Sequence, residues 1–353
     1  MTFVFFYFLV NQFLVTTAQT LEEIIRRNDA FSILASAIDL VGWIPFDGEV
    51  TMFLPNDDAL SLLDSKYLTP AYAPHLKTII AYHIVPDMVL SFDALTDGYV
   101  LDMYAGTGSI LTTVNETGTF FSGASFSDAR VVTLERIGTN GIGHEVDKVF
   151  WPSQLTLTLL DLAGSVQGFD QVLQLVAASG LEGELKEANR TILAPSDLAF
   201  ASLPAEFVSQ VISDPELRDD LLRYHILIGS LPLEAITDEM QVMTALGVPV
   251  VFTVSGEGNS RQISVSNPSY GDAISIEMGN LVAKNGLSHA LSGVLETGPR
   301  PSMENPDGLS PAAVPVSTPV NVPSESSSSG SSSPVGRTLV ARLVSCLSVL
   351  FFS

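Results

Sequence analysis

The chain switches from helical to strand periodicity, and the same switch occurs in both of its halves. At residues 21–38, apolar side chains recur every three or four positions, which predicts amphipathic helices. Residues 110–114 and 248–254 are short runs rich in β-branched side chains, which predict strands. Pro249 predicts that the second of these is an edge strand or starts one residue later. Helices followed by mostly antiparallel strands predict an α+β fold.

One ten-residue stretch occurs in each half and starts the strand pattern. Residues 51–60 read TMFLPNDDAL, and residues 191–200 read TILAPSDLAF. In both copies an apolar run ends at a proline, which cannot donate a hydrogen bond in a sheet and suits a turn. The Asn or Ser that follows stands at a helix N-cap position, and the next residue is aspartate. Each copy therefore predicts a strand, a corner and a capped helix, with Phe53 and Leu193 in the core.

Further blocks repeat in the same order, which indicates two homologous domains. Residues 82–85 read YHIV and residues 224–227 read YHIL. Residues 140–144 and 285–289 share the pattern Asn-Gly-x-x-His. Asn-Gly between strand-like runs predicts a β-hairpin, because both residues tolerate a positive φ.

Together, these blocks resemble the three signature regions of fasciclin domains: Thr-strand-Pro-Asp, Tyr-His and Asn-Gly-x-x-His-x-x-x-x-Val. The resemblance implies two tandem fasciclin-like domains, at residues 19–152 and 153–298. Each is expected to be a small β-wedge or sandwich of mostly antiparallel strands with helices packed around it. Members of the family are extracellular or cell-surface proteins, commonly linked to adhesion or matrix organisation. Ser292 stands where the first copy has Asp147, which puts in doubt any role of that aspartate in the second domain.

The two ends of the chain predict export and lipid anchorage. Residues 1–18 combine an apolar run with a small-residue exit, which is typical of a signal peptide. Residues 299–337 are rich in proline and serine, which predicts a disordered stalk. Residues 338–353 form an apolar tail of the kind that directs attachment of a glycosylphosphatidylinositol anchor. The candidate attachment residues are Ser328, Ser329 and Gly330.

Charge, cysteine content and glycosylation motifs limit which partners the protein can bind and how its domains can be stabilised. The chain has 39 acidic and 16 basic residues, a formal net charge of −23. Nucleic acid and anionic lipid require a basic surface, so membrane contact is expected only through the lipid anchor. Cys346, in the predicted tail, is the only cysteine, so the domains must rely on their apolar cores. Asn115 and Asn189 begin glycosylation sequons, and Asn115, in a Thr/Gly-rich loop, is the better acceptor.

Residues that could carry chemistry are few. The sequence contains no G-x-S-x-G elbow, H-E-x-x-H pair, Walker loop or C-x-x-C pair, and no catalytic, cofactor-binding or metal-binding residue is predicted. Four of the five histidines occupy equivalent positions in the two repeats: His83, His225, His144 and His289. A structural hydrogen bond at the end of an element is the favoured role, with contact or metal binding as alternatives. The same choice applies to Asp57 and Asp197, for which helix capping is favoured.

The family resemblance adds one candidate contact region, because the Tyr-His segment of fasciclin domains has been associated with receptor binding. The candidate adhesion residues are therefore Tyr82, His83, Tyr224 and His225.

Two function classes remain. The first is a cell-surface adhesion or matrix-organising protein that binds a protein or polysaccharide, with homophilic association a further option. The alternative is a secreted carbohydrate-active or hydrolytic protein without a recognisable motif, and the lack of a catalytic constellation common to both repeats disfavours it.

Overall fold

The computed structural model describes residues 19–44, 48–104, 108–269 and 271–297. The predicted signal peptide, stalk, tail and anchor-attachment residues lie outside these ranges. Within them, no helix is both long enough and apolar enough to span a bilayer.

In its described residues, the first domain has four α-helices and seven strands. The helices are α1 (Leu21–Arg27), α2 (Ser32–Val41), α3 (Asp57–Ser61) and α4 (Ala73–Ala81). The strands are β1 (Val50–Pro55), β2 (Ile84–Val85), β3 (Val100–Asp102), β4 (Ser109–Asn115), β5 (Gly118–Gly123), β6 (Phe126–Gly138) and β7 (Gly141–Val146).

The second domain repeats this order of elements with two additional helices. Its helices are α5 (Leu159–Ser165), α6 (Asp170–Ser179), α7 (Glu182–Leu185), α8 (Asp197–Ala201), α9 (Ala205–Ser213) and α10 (Pro215–Tyr224). Its strands are β8 (Arg190–Pro195), β9 (Ile226–Ile228), β10 (Gln241–Met243), β11 (Pro249–Ser255), β12 (Gln262–Ser266), β13 (Ile274–Ala283) and β14 (Gly286–Leu291). Where the second domain has α9, the first has the 3-10 turns Ser65–Leu68 and Pro70–Tyr72.

Each domain contains one seven-stranded sheet, and the two sheets have the same topology. The strand order is β2-β1-β7-β6-β5-β4-β3 in the first and β9-β8-β14-β13-β12-β11-β10 in the second. The pairs β1–β7 and β8–β14 are parallel, and all other pairs are antiparallel. Tyr104, just after β3, donates its backbone N–H to the Ile84 carbonyl at 2.7 Å, so the sheet curls until its two edges meet. The predicted α+β wedge in two tandem copies is confirmed.

The repeated ten-residue stretch folds as predicted in both domains. β1 and β8 are followed by the short helices α3 and α8, and Phe53 and Leu193 are fully buried. The Asn56 side chain accepts a hydrogen bond from the Ala59 N–H at 3.0 Å, which caps α3. Ser196 caps α8 in the same way. The proline corner therefore joins the strand next to one edge of the sheet to a helix whose N-terminus is capped.

Both Asn-Gly hairpins are present, but of the four Asn and Gly residues only Gly141 has the expected positive φ, at 144°. Gly138 pairs with Gly141, so Asn140 lies in a two-residue turn and keeps a negative φ. The glycine is required by the parallel neighbour, since a Cβ on Gly141 would lie 2.0 Å from the Val50 carbonyl oxygen. The Asn140 side chain instead accepts a hydrogen bond from the Leu21 N–H at 2.8 Å and so fixes the start of α1.

Of the two outcomes predicted for Pro249, an edge strand or a start one residue later, the later start is the one observed. β11 lies between β10 and β12, and Pro249 is its first residue, paired with Met243. A proline is tolerated at the first position of a strand because it removes no interior ladder hydrogen bond. The edge is instead the three-residue strand β10, too short to stand out in the sequence.

The two domains pack against each other through an apolar cluster. On the first domain the contact is made by α4 and the turns before it, and on the second by the β13–β14 hairpin. The buried members of this cluster are Tyr67, Ile79, Leu155, Val282 and Leu287.

Candidate functional site

The repeated threonine and histidine meet around a single loop residue in the first domain. The Thr51 hydroxyl donates to the Met88 carbonyl at 2.7 Å and accepts from the Leu90 N–H at 2.9 Å. The Nε2–H of His144, on the parallel neighbour β7, donates to the Leu90 carbonyl at 2.7 Å. Both backbone groups of Leu90 are thus held by side chains from adjacent parallel strands, an arrangement that we call the threonine–histidine clamp. Thr51 and His144 are fully buried, so these hydrogen bonds form away from water.

The second domain repeats this arrangement atom for atom. The Thr191 hydroxyl donates to the Gly229 carbonyl at 2.8 Å and accepts from the Leu231 N–H at 2.9 Å. The Nε2–H of His289 donates to the Leu231 carbonyl at 2.8 Å. His289 also accepts at Nδ1 from the Asn280 N–H, whereas Nδ1 of His144 has no hydrogen-bond partner.

The other repeated histidine ties the end of a helix to the closing segment of its domain. The Nδ1–H of His83 donates to the Ile79 carbonyl, and its Nε2 accepts from the Phe150 N–H, both at 2.8 Å. His225 bonds the Leu221 carbonyl and the Leu295 N–H in the same pattern, at 2.8 and 3.0 Å. One ring nitrogen donates and the other accepts, so each imidazole is a neutral cross-link between two backbone segments.

Burial keeps these histidines uncharged. It lowers the pKa of His83, His225 and His289 to about 4, against 6.5 for an exposed imidazole, and it lowers the pKa of His144 as well. The structural role favoured from the sequence therefore agrees with the geometry. In the described part of the chain, no three or more His, Cys, Asp or Glu side chains are grouped so that they could hold a metal ion.

The four candidate adhesion residues have buried side chains. Tyr82 and His83 are 1% and 2% exposed, and Tyr224 and His225 are 0% and 4% exposed. Burial raises the pKa of Tyr82 and raises that of Tyr224 to about 12. These side chains therefore support their segments from inside the domain. Any contact by the segments must use their exposed neighbours.

The exposed neighbours include three large apolar side chains, beside the acidic Asp87. The loop that follows β2 carries Met88 and Val89, which are 38% and 41% exposed, immediately before the clamped Leu90. In the second domain Ile228, the last residue of β9, is 58% exposed. Each domain thus presents at least one large apolar side chain beside its Tyr-His segment. Met88 and Val89 lie on the loop that Thr51 and His144 hold, and Ile228 pairs with Arg190 directly before the loop that Thr191 and His289 hold.

The repeated aspartates are helix caps, as favoured, but they cap a distant helix. Asp57 accepts from the Ile33 N–H at 2.8 Å and from the Ser32 hydroxyl at 2.6 Å, at the start of α2. Asp197 accepts from the Gln171 N–H at 2.8 Å, at the start of α6. Each aspartate therefore joins the proline corner to the preceding helix.

Asp147 and Ser292 perform the same task despite their different chemistry. Asp147 accepts from the Arg130 N–H at 2.7 Å, and the Ser292 hydroxyl accepts from the Ser275 N–H at 3.2 Å. The substitution in the second copy therefore retains a structural bond between the last strand and its antiparallel neighbour.

The two sequons differ in accessibility. Asn115 is exposed in the tight β4–β5 turn, and its side-chain oxygen accepts from the N–H and the hydroxyl of Thr117. Asn189 is also exposed and has a φ of 60°, but its sequon partner Thr191 is the fully buried clamp residue.

Several structural polar residues were not identified from the sequence. Asn285 accepts from the Leu159 N–H and donates to the Leu185 carbonyl, both at 2.8 Å. In the first domain only, Glu145 is buried and bonds Asn56 at 3.2 Å. Asn285 repeats Asn140, which was the one signal in the sequence that it has a structural role. Its hydrogen-bond partners lie too far along the chain to be recognised from local patterns.

Comparison with known proteins identifies the repeated unit. The family model described as the fasciclin domain matches residues 27–152 and 167–297. The chain is 30% identical to the pig (Sus scrofa) transforming growth factor-beta-induced protein ig-h3, over 60% of this chain and 30% of that protein. It is 24% identical to human periostin, over 70% of this chain and 28% of periostin. The chain thus spans about a third of the length of these curated relatives.

A solved structure with two domains gives a further match. A FAS1 domain pair from the insect cell adhesion molecule fasciclin I aligns with 77% of this chain and 95% of its own, at 15% identity and a TM-score of 0.37. The family model matches both repeats and well over half of the chain. The chain therefore belongs to the fasciclin domain family and contains two tandem copies of that domain.

Proposed function

We propose that this chain is an extracellular adhesion or matrix-organising protein that displays two fasciclin domains on a stalk. The observation that carries the proposal is the clamp described above, repeated in both domains. The polar residues common to the two copies are committed to holding backbone, and apolar side chains at or directly before the loops they hold are exposed to solvent. That design favours contact over turnover. It accords with the adhesive and matrix-organising roles commonly linked to the family.

In this proposal the Tyr-His segments contribute to contact indirectly. Tyr82, His83, Tyr224 and His225 anchor the segments from inside, and the exposed neighbours touch the partner. Met88 and Val89 would supply the contact of the first domain and Ile228 that of the second. The partner is a protein or polysaccharide of a cell surface or of the matrix, or a second copy of the chain.

Anchorage completes the proposal. The signal peptide at residues 1–18 exports the chain, and the tail at residues 338–353 is exchanged for a glycosylphosphatidylinositol anchor at Ser328, Ser329 or Gly330. The segment 299–328 then spans up to ~90 Å between membrane and domains, at ~3.1 Å per residue. Two weak sites on one anchored chain gain avidity for a repetitive partner.

Inositol-specific phospholipase tests the anchor. Treatment of intact cells should release the protein into the medium, and retention on the treated cells would rule the anchor out. A variant in which residues 338–353 are deleted should be secreted without treatment.

A binding array distinguishes the adhesion proposal from the hydrolytic alternative. The purified two-domain chain would be applied to immobilised matrix proteins and polysaccharides, with product release measured on the same surface. Binding without product supports adhesion. Release of sugar or peptide products would instead support the enzyme. No specific feature of the geometry favours the enzyme, because each of the four repeated histidines is buried and hydrogen-bonded to backbone.

A further inference from the structure

His75 is the one histidine that bridges the two domains. Its Nε2–H donates to the Ala283 carbonyl at 2.8 Å, from α4 of the first domain to the end of β13 in the second. The two residues are 2% and 0% exposed. The helices α4 and α10 are equivalent, because His83 bonds the Ile79 carbonyl just as His225 bonds the Leu221 carbonyl. In this alignment Leu217 of the second domain occupies the position of His75. The histidine therefore serves the interface and not the common domain fold.

The surroundings of this imidazole are aromatic and apolar. The ring centroids of Tyr72 and Tyr67 lie 4.9 and 6.0 Å from that of His75. Nδ1 is buried and has no hydrogen-bond partner. Because Nε2 already donates to Ala283, protonation would add a buried charge and a second N–H donor without an acceptor, which is costly in a low-dielectric interface.

The charged groups around the interface do not compensate for that cost. Lys66 lies over the Tyr67 ring, with Nζ 5.0 Å from its centroid, and pairs with Asp64 at 3.1 Å. Its positive charge opposes protonation of His75. On α4 itself, Lys77 pairs with Glu234 of the second domain at 3.0 Å. That carboxylate therefore already has a cationic partner.

The remaining elements at the interface place no anion that acts on His75. Lys284, next to the acceptor residue Ala283, is exposed and positive. The 3-10 turn Ser153–Thr156 between the domains carries no charged side chain. Burial raises the pKa of Tyr67, so its phenol supplies no anion beside His75.

We propose that His75 makes the domain interface acid-labile. The domains dock while the imidazole is neutral, and protonation favours an open state in which the apolar face formed by Tyr67, His75 and Ile79 is exposed.

The direction and the pH window follow from proton linkage. In the docked state, burial lowers the pKa of His75 to about 4, against 6.5 for an exposed imidazole. Docking is therefore independent of this group above pH 6.5 and weakens as the pH falls towards 4. Linkage gives about a tenfold loss of docking at pH 5.5 and roughly 80-fold at pH 4.5.

Thiol protection measures this opening directly, because Cys346 is the only native cysteine. In a Cys346→Ser background of the full chain, Val282→Cys reports on the interface and Ala129→Cys on the core of the first domain. Both positions are buried, at 5% and 0% exposure. The probe is 4,4′-dithiodipyridine, which reacts with thiols in acid, and each rate is divided by that of the same thiol in the unfolded chain.

Protection at Val282→Cys should fall about tenfold between pH 7.5 and 5.5. Ala129→Cys, which reacts only when the first domain unfolds, should remain the better protected thiol at both pH values. His75→Gln keeps a donor for Ala283 but does not titrate, and His75→Leu copies the second domain. In either variant, protection of the interface thiol should change by less than about twofold over the same range. An unchanged wild-type interface, an equal loss in His75→Gln, or an Ala129→Cys thiol no better protected than Val282→Cys would each overturn the proposal.

Discussion

Thr51 and His144 hold the same residue from two adjacent strands, the hydroxyl bonding the N–H of Leu90 and the imidazole its carbonyl. The strands that bring them together are the one parallel pair of the domain. Thr191 and His289 do the same for Leu231. A buried loop backbone needs a partner for every polar group, and here two side chains supply them. The motifs common to both repeats are therefore devices for fixing a loop.

Removal of the threonine hydroxyl should destabilise its domain. Thr51→Val keeps the shape but leaves the Leu90 N–H and the Met88 carbonyl unpaired. We expect a loss of about 1–3 kcal/mol in the free energy of unfolding, measured in urea. Thr51→Ser keeps the hydroxyl and should lose less. Thr113→Val, on the exposed face of β4, should stay within about 0.5 kcal/mol of the wild type.

The centres of β1 and β8 should be equally sensitive to truncation. Phe53 and Leu193 are fully buried, and Phe53 packs against the rings of Phe121 and Phe150 at 4.5 and 5.3 Å. Phe53→Ala or Leu193→Ala should cost ~2–5 kcal/mol of unfolding free energy. Leu62→Ala, at a residue 84% exposed, is the control. A loss below about 0.5 kcal/mol at either core position would show that the strand does not line the core.

Both domains should lose stability as the pH falls below 6.5. The folded-state pKa values of His83 and His225 are lowered to about 4, so the unfolded chain binds more protons between these limits. Their stabilising contribution is complete above pH 6.5 and is lost on acidification towards 4. At pH 5 the expected loss is on the order of 2 kcal/mol for each. Urea unfolding at pH 7.5 and pH 5 measures it.

A non-titrating variant provides the control for that pH dependence. His83→Gln should be less stable than the wild type at pH 7.5, because one of its two backbone bonds is lost, but its stability should fall less between pH 7.5 and 5. Equal slopes for the variant and the wild type would show that this histidine does not cause the acid sensitivity.

Glycosylation should favour Asn115 over Asn189. Asn115 lies at the turn of the β4–β5 hairpin and is exposed. Thr191 of the other sequon, in contrast, is buried as a clamp residue once the domain has folded. Intact mass of the secreted protein before and after amidase treatment should show a glycan that Asn115→Gln removes. Loss of the glycan only in Asn189→Gln would reverse this assignment.

Much of the fold could be predicted because its determinants are local. The strand, proline corner and capped helix at residues 51–60 lie within ten positions, and the repetition at residues 191–200 showed that the pattern is a unit. The hairpins at Asn140 and Asn285 were likewise visible as short local patterns. Burial of Phe53 and Leu193 followed from their place in an apolar run.

The rest depends on contacts between distant residues. Nothing near Asp57 indicates that it caps the helix starting at Ser32, and nothing near Gly141 shows that Val50 approaches it on a parallel strand. The interface histidine His75 has no counterpart in the repeat, so the comparison that identified the other four histidines could not identify it. These residues acquire their roles only when the sheet and the domain pair assemble.

Attachment of the two-domain chain to its partner tests the central claim most directly. Beads coated with the wild type, with Met88→Ser/Val89→Ser, or with the control Leu62→Ser would be applied to cells and to deposited matrix under flow. We predict that wild-type and Leu62→Ser beads attach equally and that the Met88→Ser/Val89→Ser beads detach at lower flow. Wild-type beads that attach no better than uncoated ones would contradict adhesion as the function of this protein.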